Sequence, residues 1–523
     1  MTASVFPYSG AGHTRTPREF PAHLAEPLDL LILHGKLVDG TGKKPRKADV
    51  GIRGDRIVFV GNAAKSGLSA TRTIDASGLV VAPGFIDPHT HTLGDLSNSS
   101  RKSNLPFLMQ GVTTVVTGND GGSVMNIDET LAKWDKQGIG TNAVLLAGHG
   151  TIRRSILGAA DVQPSPAQLE EMKSILARQM DEGAFGLSTG LYYVPGSYSK
   201  TDEVIDLAKV AAAKGGIYDT HMRDEGSYNI GLLGSVDETL KIGREAKIPV
   251  HISHIKALGP DVWGESKQVI KLMKKARSQG IEASACQYPY TASGTSVEAA
   301  LMPGWAEVGG RTEMLKRIDD PATRPRIIAD MEDNLKRRGG ADTLLIVGSD
   351  NTTWFGKRLS EIAVAEKRPS VEAAIGMIMT GDPGVASFNM NEKDIKRFMK
   401  QDFVTTCSDG SSGHPRKYGT FSRKLREYVY KEKVISLPFM VKNSSSKTAE
   451  TFRIPDRGLI REGYFADIIV FDEKTVTDHA TYEQPDLLST GMNFVVVNGK
   501  VTVDGGKYNG VLAGRALRKT ASR

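Results

Sequence analysis

The stretch VAPGFIDPHTH, residues 81–91, is apolar for most of its length and then sets two histidines one residue apart. Side chains alternate between the two faces of a strand, so His89 and His91 project to the same side where this strand ends. Seven later segments repeat the pattern of an apolar run that ends on polar residues: VTTVVTGND, NAVLLAGHG, FGLSTG, GIYDTH, IPVHISH, IEASACQYPY and FVTTCSDG. Between them lie amphipathic helices such as PAQLEEMKSILARQM, where Leu169, Met172, Ile175, Leu176 and Met180 recur at helical spacing. Eight strands alternating with helices predict an α/β chain with a parallel (β/α)8 TIM-like barrel over residues 84–436. The chemistry of such a barrel sits where its strands end.

Outside the barrel the grammar is different. Residues 28–83 are short β-rich runs divided by Gly and Asp turns, and the same grammar returns in residues 437–523, with Asn498-Gly499 as a hairpin signal. LHGKLVDG near the start and VNGKVTVDGG near the end echo one another, which predicts one small β-sandwich built from both chain ends. The connection from Tyr290 to Phe403 is too long for a structureless loop, so an inserted, lid-like subdomain is expected over about residues 293–350, near the barrel mouth. Residues 1–27, rich in Pro, Ser, Thr, Gly and Ala, predict a loose arm.

Composition narrows the function class. With 39% hydrophobic and 24% charged residues over 523 positions, the chain is globular. A net charge of +7 from 67 basic and 60 acidic residues is a small imbalance, and clusters such as MKKARSQG and NLKRRGG look like solvated helix faces, so no nucleic-acid partner is expected. The longest apolar runs fall short of the ~18–20 residues of a membrane span, and no secretory signal pattern is visible. Two cysteines, Cys286 and Cys407, in no metal or redox spacing, fit reduced thiols and a cytoplasmic location.

A His-x-His pair alone is weak evidence for a metal, but other strands end in ligand-type residues too. VTTVVTGND ends in Asp120, GIYDTH in His221, IPVHISH in His254, and FVTTCSDG supplies Asp409. Imidazoles and carboxylates converging on one mouth are the ligand set of zinc or a similar divalent ion. His251, at odd spacing from His254, is read as structural. Asp409 is the natural proton shuttle beside such an ion, although an Asp-Gly turn or helix cap would suit SDGSSG equally well. Lys256, Arg416, Tyr192 and Tyr290 near the mouth would suit a carboxylate-bearing substrate, with Tyr288 open as the alternative to Tyr290. Arg223 and Asp224 in HMRDE read as an ion pair steadying His221.

With PGFIDPHTH, QGVTTVVTGND, GLSTGLYYVPG, THMRDE, VHISHIK, QYPYTAS, CSDGSSGHPRKYGTF and DRGLIREGYFADIIVFD in this order, the chain resembles the amidohydrolase superfamily. Within it, the chain resembles the N-acyl-D-amino-acid deacylases, or D-aminoacylases, over roughly residues 28–517. The resemblance implies hydrolysis of the amide of a small N-acyl-D-amino acid. It matches His89 and His91 to the first metal pair, His221 and His254 to tightly held zinc ligands, and Asp409 to the catalytic acid/base. Lys256, Arg416 and the Tyr290 region match the clamp for the substrate carboxylate. One or two zinc ions are expected.

One departure stands out: Asp120 occupies the place of the family's metal-site cysteine, and a carboxylate is a harder ligand that admits manganese or cobalt. No lysine stands on FGLSTG, so Asp120 is the expected bridge between two ions. Rival readings are hydrolysis of a dipeptide or a cyclic amide, and a non-catalytic barrel. A second copy of the chain is admitted as a partner.

Overall fold

The computed structural model describes residues 26–349 and 351–519, so all but the last two residues of the expected arm lie outside the described residues. Eight parallel strands follow in chain order: β1 (Phe85–Asp87), β2 (Val112–Thr117), β3 (Asn142–Leu145, resumed at Ala147–Gly148), β4 (Gly186–Gly190), β5 (Ile217–His221), β6 (Val250–Ile252), β7 (Ala283–Gln287) and β8 (Val404–Thr406). Each pairs in parallel with the next. A Thr90–Gly410 bridge beyond the ends of β1 and β8 closes the ring. These are the eight segments read from the sequence. Their side chains are buried throughout, as expected for parallel strands covered on both faces.

The crossover helices start and stop where local chemistry dictates. Helix Pro166–Asp181 has Pro166 in its first turn, and Ser165 and Gln168 form a reciprocal capping box. Met172, Leu176 and Met180 are buried against the barrel, while Leu169 and Ile175 at the edge of the stripe are half-buried. One apolar cluster joins Ile86, Val116, Val144 and Ile217, from four strands, and Phe185, just before β4, to Ala449, Phe452 and Ile454. Phe452, fully buried, also meets the His251 ring edge-on at 5.0 Å.

Both chain ends meet in one sheet. Val80–Pro83 pairs antiparallel with Ile468–Phe471, and the seven strands of this sheet include Lys36–Leu37 and Lys500–Asp504, the two echoing segments. Asn498 and Gly499 join Met492–Val497 to Lys500–Asp504 with positive φ at both positions (47° and 78°), the conformation of a type I′ turn. A four-stranded sheet of residues 28–75 shares an apolar core with it through Leu30, Val50, Val81, Ile468 and Val496. Helices Leu437–Ser444 and Ser446–Thr451 pack on β1 instead, so the terminal β structure resumes only after residue 452.

The insertion is longer than the sequence suggested. Leu344–Gly348 pairs antiparallel with Gly384–Ser387, which in turn pairs with Ser293–Ser296. A separate apolar core runs from Val297 to Val385, so the unit closes near Ser387 rather than at residue 350. Among the described residues no helix is long and apolar enough to cross a membrane.

Phe452→Ala is expected to cost about 3–5 kcal/mol by opening a cavity in the barrel cluster. This is read as a lower urea midpoint; a loss below about 0.5 kcal/mol, the range of ordinary surface substitutions, would mean that Phe452 does not close the barrel.

Candidate active site

Beyond Asp87 the chain keeps strand-like bonding for four more residues. The Thr90 amide donates to Val116 O at 3.1 Å and the His91 amide to Gly410 O at 3.3 Å, which preserves the alternation that places His89 and His91 together. Three other residues at the mouth turn sharply where their strands end: Asp120, His254 and Asp409 have φ of 55°, 32° and 49°. Such left-handed conformations cost on the order of 1–3 kcal/mol for residues with side chains, and they concentrate at functional sites. Local bonds hold two of them: the Asp409 amide donates to His89 O at 3.0 Å, and the His254 amide to Cys286 Sγ at 3.2 Å. At the end of β4, a side chain at Gly190 would put Cβ 2.3 Å from the Asp120 carbonyl oxygen, so only glycine lets the two loops meet.

The structure brings all six predicted metal and proton-shuttle residues together. One Asp120 carboxylate oxygen lies 3.5 Å from His89 Nε2 and 3.6 Å from His91 Nε2, while the other lies 3.8 Å from His221 Nδ1 and 3.6 Å from His254 Nε2. The carboxylate thus faces both histidine pairs. Asp409 Oδ1 lies 3.0 Å from His91 Nε2 and 3.6 Å from His89 Nε2, and its other oxygen pairs with the Arg416 guanidinium at 2.7 Å.

The donor set fits a divalent ion. Both ring nitrogens of fully buried His89 and Asp120 Oδ1 lack a hydrogen-bond partner, which is costly for buried polar atoms unless something else binds them. Two groups of ligand atoms lie close enough to hold an ion: His89, Asp120, His254 and Asp409, and His221, Glu225 and His254.

Glu225 was not singled out in the sequence. It lies four residues after His221 in THMRDE, a spacing masked there by the neighbouring Arg223 and Asp224. Its buried carboxylate is 3.0 Å from His254 Nδ1 and accepts from Lys256 Nζ at 2.6 and 2.7 Å. Arg223 pairs instead with Glu238, and Asp224 accepts backbone N–H groups of Gly226, Asn229 and Gly231, so the two do not form the expected pair. His251 sits beneath the mouth, 2.7 Å from Asp219.

Burial and charge oppose one another here. Burial alone would raise the Asp409 carboxyl, but Arg416 and the neighbouring imidazoles hold it well below the usual range. Asp120 behaves alike beside His89 and His254. Burial and Lys256 push His254 down, yet Glu225, Asp409 and Asp120 raise it to about 10. Asp87, under the histidine pair, is lifted by burial to about 7, although it accepts N–H groups of Ser408 and His89.

A cavity of about 540 Å³ opens above these groups, roofed by insert residues including Ser293, Thr295, Arg338, Val347 and Val385. Lys256, Arg416 and Tyr192 line it; the Tyr192 hydroxyl donates to Ala299 O at 2.8 Å, tying the barrel to the insert. Tyr290 does not line it: its ring packs edge-on to His414 and under Arg423. Tyr288 takes that place, with an unpartnered hydroxyl and Arg416 4.8 Å from its ring centre. Tyr193, 4.7 Å from the His221 ring, also lines the cavity and had no sequence signal. In NLKRRGG the expectation of a solvated face holds for exposed Lys336 but fails for Arg338, which is buried at the cavity roof.

Residues 72–503 match the family described as amidohydrolase family. D-aminoacylase of Alcaligenes xylosoxydans xylosoxydans is 33% identical over 95% of this chain and 99% of its own. A D-aminoacylase structure described as having a binuclear metal centre superposes with a TM-score of 0.81 at 30% identity, covering 94% of this chain and all of that one. N-acyl-D-glutamate deacylase from Bordetella bronchiseptica, complexed with zinc and a phosphonate mimic of the tetrahedral intermediate, gives 0.80 at 29% identity, with 94% and 100% covered. The closed parallel barrel, the histidine and carboxylate mouth and these matches together show that the chain belongs to the amidohydrolase family, in the group that contains D-aminoacylase.

Proposed function

We propose that this chain is a metal-dependent hydrolase that cleaves the amide of N-acyl-D-amino acids to a carboxylate and a free D-amino acid. The observation that carries this is the Asp120 carboxylate facing two histidine pairs, with Asp409 beside them and a cavity opening above. His89, His91, Asp120, His221 and His254 would hold the metal, with zinc first and manganese or cobalt as alternatives. When bound, a divalent ion supplies Lewis-acid polarisation and makes water nucleophilic near neutral pH.

The protein groups supply the rest. Asp409, kept ionised by Arg416, takes a proton from the attacking water and delivers it to the amide nitrogen as the C–N bond breaks. Glu225 positions His254 through its Nδ1 and fixes Lys256 at the wall. Lys256 and Arg416, with the neutral Tyr288 hydroxyl beside them, form the side of the cavity where the substrate's α-carboxylate would sit. The free, buried thiols Cys286 and Cys407 support a cytoplasmic setting.

Amine release from N-acetyl-D-methionine by metal-loaded protein is expected to exceed that from the L form. Asp409→Asn should lower kcat by about 10²–10⁴-fold with the fold intact; equal rates on both enantiomers, or an active Asn variant, would sink the assignment.

Chelator treatment should abolish activity, and zinc should restore it. Because a thiolate is softer than a carboxylate, Asp120→Cys should keep reactivation by zinc and lose that by manganese. Metal titrations of the stripped proteins check both, and unchanged metal preference would remove Asp120 from the ligand set.

A further inference from the structure

Four arginines are buried among the described residues: Arg153, Arg338, Arg416 and Arg457. Three are neutralised by a carboxylate: Arg153 by Glu203 at 3.2 Å, Arg416 by Asp409 at 2.7 Å, and Arg457 by Asp467. Arg338 makes no ion pair among the described residues. It is 3% exposed, its Nε donates to Ala300 O at 2.9 Å, and its Nη1 has no partner. Its surroundings are the phenol rings of Tyr192 and Tyr228, the latter 5.7 Å from the guanidinium carbon.

A guanidinium in that setting carries an uncompensated desolvation cost, and a buried charge is tolerated where a partner arrives. The open direction is the cavity, because Arg338 lines the same volume as His221, His254 and Asp409. The other two cations of that volume, Lys256 and Arg416, already face Glu225 and Asp409. Among the described residues, Arg338 is thus the one cation of the cavity that lacks a protein anion.

We infer that Arg338 receives a second carboxylate of the substrate, so that this enzyme selects N-acyl-D-amino acids bearing an acid group beyond the α-carboxylate. This rests on the proposed deacylase function and assigns to the insert a residue that determines specificity. The second carboxylate can come from the amino-acid side chain or from a dicarboxylic acyl group, and both present the same planar anion to the guanidinium fork.

The test compares kcat/KM of the zinc-loaded full-length protein on two near-isosteric pairs: N-acetyl-D-glutamate against N-acetyl-D-glutamine, and N-succinyl-D-alanine against N-succinamoyl-D-alanine. The acid is expected to win by at least about ten-fold in one pair, since hydrogen bonds to charged groups carry that much, and the pair that responds identifies the source. Arg338→Met should bring that ratio near one, and Arg338→Lys should keep part of it, a pattern that a purely structural role would not produce. No preference in either pair, or a ratio unchanged in Arg338→Met, would overturn the inference while leaving the deacylase function standing. If no N-acyl-D-amino acid is hydrolysed, the functional assignment fails and calorimetry with glutarate decides on Arg338: about ten-fold weaker binding in Arg338→Met supports it, and equal binding overturns it. Should Arg338→Met not fold, the wild-type ratios and Arg338→Lys carry the same decision.

Discussion

Charge balance at the barrel mouth is the constraint on which the rest of the structure depends. Asp120, Glu225 and Asp409 converge where water is largely excluded, and three carboxylates so placed repel one another strongly in a low-dielectric setting. Lys256 and Arg416 offset two of them. The remaining negative charge falls to His254 and His91, both raised above an ordinary histidine, while burial keeps His89 and His221 below it. A divalent cation at the same place would meet the same electrostatic demand, so the residues that suit a metal are also those that leave the protein short of positive charge.

Holding this arrangement takes strain that only a rigid frame can absorb. Asp120, His254 and Asp409 all turn through left-handed backbone directly after a strand. The parallel ladder fixes where each strand ends, and the apolar cluster around Phe452 fixes the ladder from within. The terminal sheets bear on the site at one remove: Val80–Pro83 leads into β1 and is clamped by Ile468–Phe471, so the approach of His89 to the mouth is set partly by residues almost four hundred positions away.

The barrel, its eight strands and the candidate ligands at their ends were legible because each is written locally, in an apolar run followed by a polar terminus. The I′ hairpin at Asn498-Gly499 was legible for the same reason. Glu225 was not, because three consecutive charged positions, Arg223 to Glu225, look alike until the fold shows which one points inward. Tyr288 and Tyr290 share a parity and both lie beyond the end of β7 at Gln287, so alternation could not choose. The insert's end was missed because the partner of Leu344–Gly348 lies some forty residues further on, beyond two helices. Arg338 was misjudged because a basic run at a helix end normally faces solvent, and here the helix ends over a cavity.

The division of labour between barrel and insert follows from these placements. Every residue assigned to metal binding and proton transfer comes from a barrel strand end, where backbone position is set by a closed ladder. The groups that roof the cavity come from Ser293–Ser296, the end of Arg324–Arg337, and the pair Leu344–Gly348 and Gly384–Ser387, which rest on a separate apolar core. Polar ties join the two parts at the cavity wall: the Tyr192 hydroxyl donates to Ala299 O and the Arg416 guanidinium to Gly294 O. The proposed metal and proton-transfer groups therefore rest on the barrel's packing, and Arg338 on the separate core of the insert.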